Sequence, residues 1–298
     1  MALPYITIGI VVRNCEKKVK DVIDSILLQD YDHQKMEIIF VDDGSIDRTF
    51  EYANQLLSNS DISIKILKDR WKGIASSRNK VIKNAMGKYI VWVDGDMLLP
   101  KHYVYSQVEF MELNPKVAVA KAHYCELKKF NFPAVMEYYS RISTIRSELL
   151  VGTGGSIYRT QVIKEIGGFD ENIRGAGEDL DAVFRIKAKG WFICKNNKAM
   201  FFENFRETWS DLWKEYFWWG YGAHYVKHKY KNAVTIAYRL PMFSLIIGIL
   251  KFIKLFKMHH IICVFLPFYL ILKDMAWIFG FIESHLDGYG HTLNNTLL

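Results

Sequence analysis

The stretch GKYIVWVDGDM, residues 87–97, decides how this chain reads. Tyr89, Ile90, Val91, Trp92 and Val93 form an uninterrupted apolar run, as in a strand buried on both faces, and it leads directly into Asp94-Gly95-Asp96. Two carboxylates one residue apart at a strand end can point to the same side and hold a divalent cation. A cation gripped by so few carboxylates completes its shell with water and phosphate oxygens, so the pair suits a metal-diphosphate. An Asp-Gly step after an apolar run is also a common hairpin turn, and this stretch alone leaves both readings open.

Working outward, the same signals recur. ITIGIVV (Ile6–Val12) predicts a buried strand, followed by a helix over 16–28 with Val19, Val22, Ile23, Ile26 and Leu27 at helical spacing. Residues 37–41 predict a second strand, ending at Asp42-Asp43-Gly44-Ser45. A helix then starts near Asp47, placed as an N-cap, and runs to about residue 57. Strands at 62–67 and 88–93 with a helix over 74–86 complete a βαβαβαβ order, the mark of an α/β protein whose parallel sheet is covered on both faces. Ligands in such sheets gather at the carboxyl ends of strands, where Asp42, Asp43, Asp94 and Asp96 all fall. Further on, the patterns predict a helix over 102–113, a strand over 117–122 and a helix over 132–148 lying on the sheet. Gly152-Thr153-Gly154-Gly155-Ser156 is either a flexible loop whose amides, such as that of Gly155, approach a donor, or a tight turn with no ligand. Gly175-Ala176-Gly177-Glu178-Asp179 opens a helix with Leu180, Val183 and Phe184 on one face.

Transfer of a sugar from a nucleoside diphosphate needs recognition of the base, neutralisation of the departing diphosphate and a base for the acceptor hydroxyl. Asp42 offers hydrogen-bond acceptors to a nucleobase, and Asp96 a metal ligand. Arg78 offers positive charge near phosphates or a contact to the base, and Asp179 or Glu178 a proton acceptor. Carboxylates at a helix start are also favoured by the macrodipole with no catalytic role.

Taken together and in this order, the opening strand to Asn14, VDDGSIDRT (41–49), GIASSRN (73–79), VDGDM (93–97), GTGGSIYR (152–159), GGFDE (167–171) and GEDLD (177–181) closely resemble the inverting GT-A glycosyltransferases of family 2. The resemblance implies a GT-A, Rossmann-like, mixed and mostly parallel sheet with helices on both faces. It also implies a nucleotide-sugar donor (UDP- or GDP-sugar), a divalent metal (Mn²⁺ or Mg²⁺) held through Asp94 and Asp96, and displacement with inversion. By position Asp42 matches the base-binding acid, with Asp43 beside it, Asp96 the metal ligand and Asp179 the general base. Two positions depart from the pattern. Arg13 stands where many members carry Tyr or Phe in the wall of the base pocket, and Phe202-Glu203-Asn204 stands where some place a His, leaving Glu203 as an alternative oxygen ligand.

Of 298 residues 50% are apolar and 15% aromatic, high for a soluble protein, and the excess lies in the last third. The division expected is a catalytic domain over 1–210 and an aromatic, basic and apolar helical region over 211–298. Lys214, Lys227, Lys229, Lys231, Arg239, Lys251, Lys254 and Lys257 face one acid, Glu215, between residues 212 and 260. Beside apolar runs at 243–256 and 261–272, that asymmetry points to an anionic membrane surface. Lys251, Lys254 and Lys257 recur every third residue and predict a helix lying in the interface with its lysines reaching headgroups. As a helix, 261–272 is only about 18 Å long. Extension to residue 282 takes in Lys273 and Asp274, each costing roughly 3 kcal/mol at the bilayer centre. Helices on or re-entering the membrane are therefore expected, with a spanning hairpin or a pair of core helices as alternatives. The acceptor expected is lipid-linked or a glycan.

Cys15, Cys125, Cys194 and Cys263 form no paired motif, so no zinc knuckle or disulfide framework is indicated. No basic stretch and apolar core open the chain, and the catalytic part is expected on the cytoplasmic side of the cytoplasmic membrane. Two other classes compete. One is an inactive nucleotide-sugar-binding scaffold, suggested by Arg13 and Glu203. The other is a nucleic-acid binder, suggested only by the basic aromatic stretch, and no nucleic-acid partner is expected.

Overall fold

A computed structural model describes residues 3–125, 131–142, 152–173, 175–230, 236–256 and 261–288. Its chain divides into two units that interleave instead of separating at one cut near residue 210. The first holds Met1–Glu126, Leu150–Glu171 and Glu178–Asn204, the second Leu127–Leu149, Asn172–Gly177 and Phe205–Leu298.

In the first unit, β1 (Ile6–Val12), β2 (Met36–Asp42), β3 (Ser63–Lys68) and β4 (Tyr89–Asp94) are the four expected parallel strands, each within two residues of its predicted ends. β5 (Met97–Leu98), β6 (Val117–Cys125), β7 (Ser156–Arg159) and β8 (Phe192–Glu203) complete one mixed sheet in the order β3-β2-β1-β4-β7-β6-β8-β5. β7 runs antiparallel between β4 and β6, and β5 runs antiparallel to β8. The hairpin reading of Asp94-Gly95-Asp96 fails here. β5 turns away from β4 and pairs instead with β8 at the far end of the sheet.

Strand parity builds the two faces. Ile6, Ile8 and Ile10 of β1 with Ile38 and Phe40 of β2 pack on α1 (Val19–Leu27), α2 (Thr49–Leu57) and α4 (Tyr103–Leu113). Val11, Ile39, Val41, Ile90 and Trp92 pack on α3 (Ile74–Asn84), α6 (Thr160–Glu165) and α7 (Glu178–Ala188). α2 starts two residues later than predicted. Asp47 accepts from the Thr49 amide at 3.1 Å and also from the Glu16 amide at 3.2 Å, so it ties the two loops together rather than serving as the N-cap itself.

The second unit is helical. α5 (Phe132–Ile142) belongs to it, a correction to its expected place on the sheet, and the predicted residues 143–148 fall outside the described ones. Met136 of α5 shares a core with Leu212 and Tyr216 of α8 (Trp209–Lys229), Leu255 of α9 (Pro241–Phe256) and Tyr269 of α10 (Leu266–Leu286). α8 and α10 touch backbone to backbone. A Cβ on Gly220 would overlap the Trp277 carbonyl, and one on Gly280 the Phe217 carbonyl. Lys251 does not reach outward as expected. Its Nζ donates to the Ser140 carbonyl at 2.6 Å, while Lys254 is exposed and Lys257 lies outside the described residues.

The charges inside α10 are met within this unit. Asp274 accepts from Arg239 at 2.6 Å and from Ser244 Oγ at 2.7 Å. Lys273 donates to Ser140 Oγ at 2.9 Å and to the Tyr216 hydroxyl at 3.1 Å. Buried Glu137 accepts from Arg141 Nε at 2.5 Å, from Tyr216 at 2.8 Å and from Tyr269, with Lys273 Nζ at 3.9 Å.

Candidate active site

Register fixes the rim of the first unit. Asp42 pairs with Val12 across one side of β1, and Asp94 pairs with Val11 across the other, so the two acids stand at the same end of the sheet, two strand spacings (about 10 Å) apart and one residue out of level. Behind Asp94, the Arg78 guanidinium of α3 is buried. It donates to Asp94 Oδ1 at 3.3 Å and to Glu178 Oε1 at the start of α7. An acid at a strand end and an acid at a helix start thus share one cation.

Asp179 follows in the same turn. It is half-buried, with Oδ1 accepting from the Leu180 amide at 2.7 Å. Burial pushes its carboxyl above the ordinary value, only partly offset by Arg78 and Lys121, while the Asp94 charge adds to the rise. Burial and the Asp179 charge push Glu178 up as well, against the pull of Arg78. A carboxyl raised in this way suits proton transfer near neutral pH.

The remaining acids separate by task. Asp43 is occupied by the fold, accepting from Ser77 Oγ at 2.8 Å and from the Lys72 amide at 3.4 Å. Asp42 is fully buried with Oδ1 engaged by Ser45, whereas its Oδ2 has no partner among the described residues. Arg13 stacks on Trp71, its guanidinium carbon 5.2 Å from the ring centroid. Gly44, at φ +76°, allows the Trp71 backbone to approach so closely that a Cβ would collide with its amide.

Asp96 and Glu203 lie side by side. Glu203 pairs with Met97 in the sheet, and the Asn204 amide donates to the Asp96 carbonyl at 3.0 Å. The turn rests on Cys15, whose thiol donates to the Gly95 carbonyl at 2.8 Å. Burial and the Asp96 charge raise that thiol to about 11, so it stays protonated. Among the described residues no group of three or more His, Cys, Asp or Glu side chains forms a metal cage. Asp94, Asp96 and Glu203 are not gathered into such a cage, but each offers carboxylate oxygens, the donor type that suits a hard cation arriving with phosphate oxygens of its own.

Gly155 corrects an expectation. Its amide donates to the Trp92 carbonyl at 3.2 Å and is therefore not available to a donor, and Gly154 is the residue pressed against the Asp94 carboxylate. Lys121 of β6, not singled out in the sequence, is buried beneath this loop. It donates to the Gly154 carbonyl and to Gly152 O at 3.4 Å. A single lysine within the otherwise apolar run VAVAKA (117–122) was the available signal.

The sequence profile described as Glycosyl transferase family 2 matches residues 7–167, more than half of the chain, and that of Glycosyl transferase family group 2 matches residues 89–282. The chain belongs to glycosyl transferase family 2. Within this family it is 26% identical over 253 residues to the poly-beta-1,6-N-acetyl-D-glucosamine synthase of Staphylococcus aureus strain COL, covering 82% of this chain and 60% of that protein. With the synthase of the same name from Staphylococcus epidermidis it shares 26% over 223 residues, 72% of this chain and 53% of that one. The chain thus spans little more than half the length of these family 2 relatives.

Among solved structures, the mannosyltransferase PcManGT of Pyrobaculum calidifontis, in complex with GDP-Man and Mn²⁺, superposes with a TM-score of 0.69 at 15% identity, over 96% of this chain and 88% of that one. TarS 1–349 of S. aureus in complex with UDP-GlcNAc gives 0.54 at 16% identity, over 95% and 92%. At those identities the likeness concerns the fold, the GT-A arrangement expected for a family 2 member.

Proposed function

We propose that this family 2 protein is an inverting, metal-dependent glycosyltransferase that carries a sugar from a nucleotide-diphosphate donor to a lipid-linked or glycan acceptor at the membrane. The observation carrying this reading is the junction of Arg78 with Asp94 and Glu178, next to Asp179 with its raised carboxyl. Glu178 is spent on Arg78, which leaves Asp179 to take the proton of the acceptor hydroxyl. The freed oxygen pair forms a bond to the anomeric carbon on the face opposite the diphosphate. The carbon–oxygen bond to the diphosphate breaks and its electron pair leaves with the nucleotide, inverting the centre.

Asp96, with Asp94 and Glu203, would hold Mn²⁺ or Mg²⁺, which when bound supplies positive charge to the departing diphosphate. Arg78 holds Asp94 and Glu178 in place from below. A Mn²⁺-bound neighbour and the all-oxygen donor set support this assignment. Glu203→Ala is expected to raise the Mn²⁺ concentration giving half-maximal activity severalfold, and an unchanged titration removes Glu203 from the site.

The test of the whole reading is donor turnover by the full chain with Mn²⁺ and common nucleotide sugars, wild type against Asp96→Ala. Loss of turnover in the variant is expected. Binding of nucleotide sugar without turnover in the wild type would leave only a scaffold.

For the membrane, Ile262–Leu286 is the one helix among the described residues long and apolar enough to cross. Pairing of Lys273 and Asp274 inside the helical unit lowers the cost of placing α10 at hydrocarbon depth. Met242, Leu250 and Phe256 of α9 and Phe268 and Phe279 of α10 are more than half exposed, an unusual apolar surface for water. The catalytic unit would stand on the cytoplasmic side, in keeping with four unpaired cysteines. The full chain is expected to float with anionic phospholipid vesicles on a density gradient at moderate salt, and recovery in the soluble fraction overturns the membrane assignment.

A further inference from the structure

The loop over 152–154 runs between two acids with different tasks. On one side, a Cβ on Gly154 would overlap Asp94 Oδ2. On the other, a Cβ on Gly152 would stand 3.9 Å from Asp179 Oδ2. The same point lies 3.2 Å from Lys121 Nζ, so ammonium and carboxylate face each other across bare backbone. A shift of this loop therefore changes the room beside both acids at once.

Lys121 holds the loop from β6. Its buried ammonium donates to the Gly154 carbonyl and, at 3.4 Å, to the Gly152 carbonyl, so both ends of the turn hang on one cation. The Gly152 carbonyl also accepts from Ser156 Oγ at 2.8 Å. The ammonium lies over the rings of Tyr124 and Phe201, 5.4 Å and 5.5 Å from their centroids, which fixes it further. Burying a charge is costly, and a neutral amide at this place would serve two carbonyls as well. The charge has its use at Asp179.

We propose that Lys121 is a positioning residue for the sugar transfer, bracing the Gly152–Gly154 loop between Asp94 and Asp179 and setting a positive charge beside the base. This rests on the transferase reading of the site. The groups facing Asp179 are Arg78 of α3, Asp94 at the end of β4, Lys121 of β6 and Tyr158 of β7, with Glu178 before it on its own helix. Burial and the Asp94 charge raise the Asp179 carboxyl, and Arg78 and Lys121 pull it down. Arg78 is engaged by Glu178 and Asp94. Lys121 is thus the cation whose charge can be removed while that junction stands.

The test is release of nucleoside diphosphate from common nucleotide sugars, UDP-GlcNAc and GDP-Man among them, by the detergent-solubilised full chain with Mn²⁺. It is followed against pH, beside calorimetric titration with UDP and GDP. In Lys121→Met the loop loses its brace and the base its neighbouring charge. Turnover is expected to fall about tenfold or more, as a small misplacement of reacting groups does, with nucleotide affinity near that of the wild type. Without the cation Asp179 takes up its proton more readily, so the acid limb moves to higher pH. Lys121→Arg, which keeps the charge, is expected to hold the wild-type acid limb, and Lys121→Gln, which keeps only a hydrogen-bond donor, to shift it. That pair decides the matter even where the Met chain fails to fold. One acid limb shared by the wild-type, Arg and Gln chains overturns the role of Lys121 and leaves the transferase reading intact. So does a loss of nucleotide affinity that matches the loss of turnover. Absence of turnover by the wild type overturns the transferase reading itself, and this role with it.

Discussion

Asp179→Asn is expected to lower sugar transfer by about 10²–10⁴-fold while leaving nucleotide affinity near that of the wild type. Asn keeps the shape and can still accept from the Leu180 amide, so the helix start survives. It cannot take a proton. The pH dependence carries the same signature. Burial lifts Asp179 above the ordinary 3.8, so in the wild type activity should fall as pH drops through that raised value, where the base becomes protonated. The acid limb should therefore lie above pH 3.8, and it should be absent from the residual rate of the variant. Single-turnover transfer against pH for both chains measures it. An Asn variant keeping more than about a tenth of the rate would remove Asp179 as the base.

Glu137→Gln should have the largest effect on stability, on the order of 3–5 kcal/mol within the helical unit. One buried carboxylate faces Arg141 from its own helix, Tyr216 of α8, and Tyr269 and Lys273 of α10. Without its charge Arg141 and Lys273 lose this buried anion. Burial alone would raise this carboxyl, but Lys273 and Arg141, with the Tyr269 and Arg141 hydrogen bonds, hold it down to about 2 from 4.5. Because the folded value is depressed, the stabilisation is fully present above pH 4.5 and lost as pH falls through about 2, amounting to about 3 kcal/mol. Thermal unfolding of the detergent-solubilised chain, wild type against Glu137→Gln at neutral pH and wild type again on acidification, measures both effects. A variant melting with the wild type would show that these helices are held by apolar packing alone.

Much of the first unit was legible because β1, β2 and β4 are buried on both faces, and such strands leave continuous apolar runs between turn signals. β8 left no such trace. It is twelve residues long, but its burial is irregular and its pairing with β6 shifts register, so Lys195, Asn196 and Asn197 interrupt any period. β7 was hidden in a glycine-rich motif that reads as a loop. The site's acids stood out as motifs at strand ends. Lys121, Ser45 and Trp71 did not, because what each does depends on a partner or backbone brought near only by folding. Lys251 shows the same limit from the other side. Spacing placed it in line with Lys254, but only the position of α5 turns it inward to Ser140.

The strand order also bears on how the catalytic unit behaves at high concentration. Its sheet ends in two outer strands, and an outer strand with bare amides and carbonyls invites a second molecule to pair with it. β5 is two residues long, too short to template a foreign strand. β3 is longer, and it carries Lys65 and Lys68, whose like charges repel an identical neighbour brought alongside. Exchanging Lys65 and Lys68 for apolar residues would strip that guard and open a route to fibrous aggregates.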